Sequence, residues 1–215
     1  METVVQEIKN SLSLPICYGW DREFLVSILG QVERGRKLSA KQETFLATVL
    51  ERNSPAAQKQ HEVWSDTYNN EYVDDAIVLA KYYKTTGYFK SMVETILAGQ
   101  VPDRKSFLKM YNNKYATKVL STHRMKPRYN VGDYIFPRAS FTSTKAVFED
   151  GLRREISWTV TDSSVKRFQS KGGLIIEHYD VILSAANGAK TYKILPIGST
   201  IPFIVEERFI KSKRT

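Results

Sequence analysis

At 215 residues, with 42% hydrophobic and 12% aromatic side chains, the chain carries enough apolar surface to bury one or two cores, which excludes a disordered polymer. The lone cysteine, Cys17, excludes an internal disulfide, and no window holds the roughly 18 consecutive apolar residues that a membrane span requires. A net charge of +9 and a pI near 9.5 call for an acidic partner, and nucleic acid is the commonest one.

The opening METVVQEIKNSLSLPICYGW has no basic segment followed by an apolar run, so a cytoplasmic protein is expected, without secretion or a membrane partner. From Asp21, the residues Phe24, Leu25, Ile28, Leu29 and Val32 recur at helical spacing up to Gly35, which can adopt the left-handed conformation that ends helices. Ser39-Ala-Lys-Gln42 has the form of a capping box. Phe45, Leu46, Val49 and Leu50 carry the helix it opens to a stop at Asn53-Ser-Pro55. The pair reads as an αα-hairpin over 21–52, and its near-neutral charge favours two packed amphipathic helices over a DNA-reading helix-turn-helix.

Further helices are expected within 58–121. After a polar connection holding His61 and Trp64, the run Tyr72, Val73, Ala76, Ile77, Leu79, Ala80 and Tyr83 predicts a third helix, broken at Thr85-Thr-Gly87. Tyr88, Phe89, Met92, Val93, Ile96 and Leu97 predict a fourth, ended by Gly99. Pro102-Asp103 start a fifth, with Phe107, Leu108, Tyr111, Tyr115, Val119 and Leu120 on one side and Asn112 and Asn113 available for a bend or a cap.

The pattern changes at Pro127. Val131-Gly-Asp-Tyr-Ile-Phe136 reads as a turn into a strand, and Ile156-Ser-Trp-Thr-Val160 alternates with the period of a second strand. Leu174 to Leu183 predicts a long strand with room for a bulge, and Asn187-Gly188 is a hairpin signal joining it to Tyr192-Lys-Ile-Leu195. Ile201 to Val205 and Arg208 to Ile210 supply the last elements. The expected class is α+β: a helical domain of about five helices over 1–125, then a small basic β-barrel, SH3-like or OB-like, over 126–215. Closure into a barrel would hide sheet edges that otherwise aggregate.

Charge divides along the same line. Lys plus Arg against Asp plus Glu count 8 to 7 in residues 1–60, 6 to 7 in 61–112, and 18 to 9 in 113–215. Lys114, Lys118, Arg124, Lys126 and Arg128 cluster around the junction. Arg138, Arg153 and Arg154 follow, and the tail runs from Lys211 to Arg214. The stretch Val165-Lys-Arg-Phe-Gln-Ser-Lys-Gly-Gly173 reads as a loop between strands. There Lys166, Arg167 and Lys171 could reach phosphates while Phe168 stacks on a base. The other reading is an ordinary hairpin loop with Phe168 folded onto the barrel.

Val131-Gly-Asp-Tyr-Ile135, followed by short strands and a hairpin, resembles the first strand of SH3-like barrels of the KOW type, which implies a nucleic-acid-associated module over the last 85 or so residues. The phrases Gly35-Arg-Lys-Leu-Ser-Ala-Lys-Gln42 and Tyr82-Tyr-Lys-Thr-Thr-Gly-Tyr-Phe89 resemble helical modules in accessory proteins of tailed bacteriophages. The resemblance assigns no functional residues.

Enzymatic chemistry has less behind it. His61, His123 and His178 lack metal-ligand spacing, and no Gly-x4-Gly-Lys frame cradles a nucleotide, so no metal or cofactor is expected. Asp162, Glu177 and Asp180 could hold magnesium for phosphodiester cleavage, but their spacing resembles that of ordinary turn residues. The leading expectation is a non-catalytic, sequence-tolerant nucleic-acid-binding accessory protein, with DNA ahead of RNA and a protein partner on the helical domain. The alternatives are a module that docks on a host enzyme or virion component and, third, a metal-dependent nuclease.

Overall fold

The computed structural model describes residues 2–149 and 158–212. The chain divides into two compact units, 1–71 and 72–215.

In the first unit, α1 (Glu2–Ser13), α2 (Gly19–Glu33) and α3 (Ala40–Arg52), with the link between α1 and α2, bury Ile8, Cys17, Leu25, Ile28, Leu46 and Val49 in one core, and α4 (Pro55–Thr67) follows. The expected αα-hairpin is present as α2 and α3. The Ser39 hydroxyl accepts from the Gln42 amide at 3.3 Å, and the Gln42 side chain accepts from the Ser39 amide at 2.9 Å, closing the capping box. Asp21 ties the far ends together, accepting from Arg52 at 2.6 Å and from the buried Asn53 side chain at 2.8 Å. Two helices were not foreseen. α1 occupies the opening segment, and the connection with His61 and Trp64 is α4: Ser54 caps it, Pro55 sits in its first turn where a missing N–H costs nothing, and Trp64 is buried.

The second unit begins with α5 (Val73–Thr86), α6 (Lys90–Leu97), α7 (Arg104–Tyr111) and α8 (Lys114–Arg124). The expected single fifth helix is two helices because Asn113 breaks it. Its side-chain oxygen accepts from the Tyr115 and Ala116 amides at 2.9 Å each, starting α8, while its amide group donates to the Met110 carbonyl at 2.6 Å. Eight helices among the described residues thus precede the sheet, against about five expected.

The sheet comprises β1 (Tyr134–Pro137), β2 (Gly173–Tyr179), β3 (Thr191–Pro196), β4 (Phe203–Glu206) and β5 (Ile210–Ser212), antiparallel throughout in the order β4-β3-β2-β1-β5. β1 starts at the Gly-Asp turn as expected, and β2 carries its bulge between Ile175 and Glu177. Asn187-Gly188 does form a turn, but the link from β2 to β3 is longer than a two-residue hairpin. The Thr191 hydroxyl donates to the Tyr179 and Val181 carbonyls at 2.7 and 2.9 Å, holding the residues after β2 beside the start of β3.

Two expectations fail between β1 and β2. The strand over 156–160 and the loop over 165–173 are replaced by one helix, α9 (Trp158–Lys171), which covers 158–160 and continues through most of the loop; residues 156 and 157 lie outside the described residues. The barrel does not close, since β4 and β5 are the two edges and do not pair with each other among the described residues. α9 supplies what closure would have supplied: Val165 and Phe168 enter the sheet's core with Ile175, Ile194, Phe203 and Val205, and the Phe168 ring lies 5.2 and 5.4 Å from those of Phe141 and Phe203. Val147 covers the β4 edge through two backbone hydrogen bonds with Ile204, at 2.9 and 2.7 Å. The sheet is nonetheless curled. Only the 3-10 turn Glu207–Phe209 separates β4 from β5, a reach of at most about 14 Å, whereas five flat strands would set the edges about 19 Å apart.

Candidate functional site

The first unit holds 8 Lys and Arg against 10 Asp and Glu, and the second holds 24 against 13. The excess in the second unit is concentrated, since residues 104–132 contain eight Lys and Arg and no acid.

Where β1 pairs with β5, a cleft of about 710 Å³ is lined by Arg128, Tyr129, Phe136, Pro137, Arg138, Gln169, Lys211 and Ser212, with no carboxylate among them. Antiparallel pairing sets Phe136 opposite Lys211, so the end of β1 and the last described strand share the cleft. Arg138 is anchored just past β1. Its amide donates to the Phe209 carbonyl at 2.8 Å and its Nε to the Ile210 carbonyl at 2.7 Å, which engages one of the guanidinium's five donors. Arg128 lies over the Tyr129 ring at 5.6 Å, and its amide donates to the Tyr192 hydroxyl at 2.9 Å. That hydroxyl in turn donates to Glu207 at 2.7 Å. Burial first, then this bond to a carboxylate, pushes the Tyr192 phenol well above its ordinary range, so it stays protonated and donating. Arg128 and Arg138, each held by a backbone or ring contact, and the exposed Lys211 line a cleft with no carboxylate, which suits an anion.

The other residues singled out from sequence fall into distinct environments. Lys114, Lys118 and Lys126 are exposed and have no ion pair among the described residues. Lys171, the last residue of α9, is exposed, and its carbonyl accepts from the Tyr134 hydroxyl. Arg124 is engaged by Asp75 at 2.5 Å, and Asp75 also accepts from Tyr111 at 2.9 Å. Lys166 pairs with Asp162 one helical turn away at 2.7 Å, and the Arg167 guanidinium donates to the Gly198 carbonyl. Phe168 is wholly buried, so it cannot stack on a base and is corrected to a core residue. Arg153 and Arg154 lie outside the described residues, as does the tail beyond Ser212.

Tyr129, Phe136, Pro137, Gln169 and Ser212 complete the cleft and were not singled out from sequence as site residues, since nothing local marks them. The carboxylates considered for magnesium are apart in their bonding: Asp162 faces Lys166, and Glu177 lies 3.7 Å from Lys193. Among the described residues no group of three or more His, Cys, Asp or Glu could hold a metal ion. His178 has a structural setting, its Nε2 lying 2.9 Å from the Tyr129 carbonyl. Burial lowers the Lys190 pKa while Asp180 and Glu207 oppose it, and its ammonium donates to the His123 carbonyl at 2.7 Å, holding the end of α8.

The first unit has a different surface. A groove of about 780 Å³ is lined by Val4, Val32, Leu38, Leu46, Ala47 and Leu50 with charged residues among them, and Trp20 and Phe45 expose aromatic surface around Phe24. No helix among the described residues is long and apolar enough to cross a membrane. No family model, curated protein or solved structure matches the chain.

Proposed function

We propose that the chain is a non-catalytic, sequence-tolerant nucleic-acid-binding accessory protein that grips phosphates, of DNA in preference to RNA, with the basic surface of its second unit. The observation that carries this reading is the acid-free cleft where Arg128, Arg138 and Lys211 converge. In this reading the cleft cations contact phosphates, which carry no sequence information, and the tolerance comes from that choice of contact rather than from the residue types. The strand order, with one 3-10 turn carrying the chain from β4 to β5, is compatible with an SH3-like module, and with it go a cytoplasmic setting and a role in phage replication or transcription.

A gel-shift titration of labelled DNA at two salt concentrations tests the proposal. If only the three cleft cations met duplex phosphates, affinity would fall about 40-fold between roughly 50 and 200 mM salt, and further contacts would steepen the loss. Replacing Arg128 and Arg138 together by Gln should flatten the log–log slope by about 1.8. Absence of any complex at low salt overturns the reading.

The second reading is a protein-interaction module that docks on a host enzyme or virion component. The apolar groove and exposed aromatics of the first unit, which carries more acids than bases, favour it. Recovery of one stoichiometric protein partner after nuclease treatment would support that reading, and the two functions are compatible in one chain.

A further inference from the structure

We propose that Tyr88 and Tyr115 form a stacking platform for the bases of a single-stranded nucleic acid, with Lys84, Lys90, Lys114 and Lys118 placed to meet its phosphates. The inference rests on the nucleic-acid reading above and narrows its substrate to unpaired strands.

Most tyrosines of the helices in the second unit are packed away. Tyr82 and Tyr83 are 7% and 3% exposed, whereas Tyr88 and Tyr115 are 69% and 50% exposed, so packing does not account for these two rings. Tyr83 ties together the two corners that carry them. The Tyr83 hydroxyl donates to the Asn113 side-chain oxygen at 3.0 Å, and the Asn113 amide donates back at 2.7 Å, fixing the end of α5 to the start of α8, where Tyr115 projects. On the other side, the Phe89 ring lies 4.9 Å from Tyr83 and holds the corner that carries Tyr88. Tyr83 thus touches both the corner next to Tyr88 and the residue two before Tyr115. Burial raises the Tyr82 pKa, and the phenols of Tyr83, Tyr115 and Tyr88 add to it.

The charge around the rings selects the partner. The Lys114 ammonium lies 5.2 Å from the Tyr115 ring centroid, and Lys118 follows one turn later on the same helix. Lys84, Lys90, Lys114 and Lys118 are exposed and unpaired among the described residues. Residues 76–93 and 104–132 contain no acid, and Glu94 is the sole carboxylate of α6. Exposed aromatic faces beside unpaired cations suit the bases and phosphates of an unpaired strand, whereas a duplex keeps its bases stacked on one another, out of reach of such rings.

The test is fluorescence anisotropy with a labelled oligo-dT of about 15 nucleotides and a duplex of the same length, each titrated across salt. Tyr115→Ala and Tyr88→Ala should each weaken oligo-dT binding about fivefold or more while leaving duplex affinity and the salt slope unchanged, and Tyr115→Phe should retain binding. Circular dichroism melting of the variants checks that these exposed positions leave the fold intact. Equal losses on both probes, or no loss while Arg128→Gln/Arg138→Gln still weakens both, would overturn the platform and leave the phosphate-gripping reading standing. If the unaltered protein binds neither probe at low salt, both readings fail together.

Discussion

Removing one oxygen atom tests how the segment that carries Arg128 is held. Tyr192 is fully buried, and its hydroxyl accepts from the Arg128 and Tyr129 amides at 2.9 and 3.3 Å while donating to Glu207 at 2.7 Å. Tyr192→Phe keeps the ring contacts and deletes this hub. The bond to a carboxylate is worth about 1.5–3 kcal/mol, and a buried amide left without an acceptor costs about 1–3 kcal/mol. The Arg128 amide keeps a second acceptor in Glu207 at 3.3 Å, so only the Tyr129 amide is stranded. The expected loss is therefore about 2.5–6 kcal/mol, or on the order of 5–20 °C in melting temperature.

The same hydroxyl sets a pH signature. A phenol whose folded pKa lies above its unfolded value of about 10 contributes stability that is complete below pH 10 and is lost as pH rises from there through the folded value. Burial also raises Tyr68, Tyr82, Tyr83 and Tyr111, so the variant should still lose stability in alkali, but less steeply than the parent. Urea unfolding at pH 7.5 and at several values above pH 10 checks both claims. A variant within about 0.5 kcal/mol of the parent at neutral pH, or parallel alkaline limbs, would refute the hub.

Two glycines with the same φ separate conformational from steric cost. Gly35 and Gly172 both have φ of +71°, but a Cβ at Gly35 meets nothing within 4 Å, whereas one at Gly172 would sit 2.5 Å from the Ile135 carbonyl oxygen. Gly35→Ala should cost about 1–2 kcal/mol and Gly172→Ala distinctly more, read as midpoint shifts in urea; equal costs would contradict the close approach of α9 to β1. Ser39→Ala should lose about 1 kcal/mol through the capping box, with Ser39→Gly recovering most of it, by thermal melting. At the Asp75 cluster, Arg124→Ala should cost under about 0.5 kcal/mol because the guanidinium is largely exposed. Asp75→Ala should cost about 1 kcal/mol more, since it strips both Arg124 and Tyr111 of their partner, and a double-mutant cycle measures the difference.

Legibility followed the range of the deciding interaction. The capping box, Gly35 and Gly87 act within one turn of chain, and the helices they bound were readable. Asn53-Ser-Pro55 reads only as a stop because the residues that end one helix also begin the next. α9 escapes for a different reason. Trp158-Thr-Val-Thr161 alternates and is rich in β-branched residues, so local preference favours a strand. Its buried helical face includes Ser164, Val165 and Phe168, and the serine is invisible to an apolar count although its hydroxyl donates to the Ile201 carbonyl at 2.7 Å. Tertiary burial overrides local propensity, and an aromatic that suits base stacking becomes part of the core.

The positive surface shows the same divide between counting and placing. Ion pairs join Arg124 to Asp75, Lys166 to Asp162, Lys193 to Glu149 and Arg208 to Glu206. Each pair cancels locally, so pairing removes equal numbers of both signs and leaves the second unit's imbalance of 24 to 13 untouched. The whole excess must then be expressed by the cations left over. Those in the acid-free stretch 104–132 are visible to any count of the sequence, but the meeting of one of them, Arg128, with Arg138 and Lys211 depends on β1 pairing with β5 across more than 70 residues of chain. No local pattern encodes that register. A long-range strand pairing, rather than any basic motif, brings the cleft's cations together.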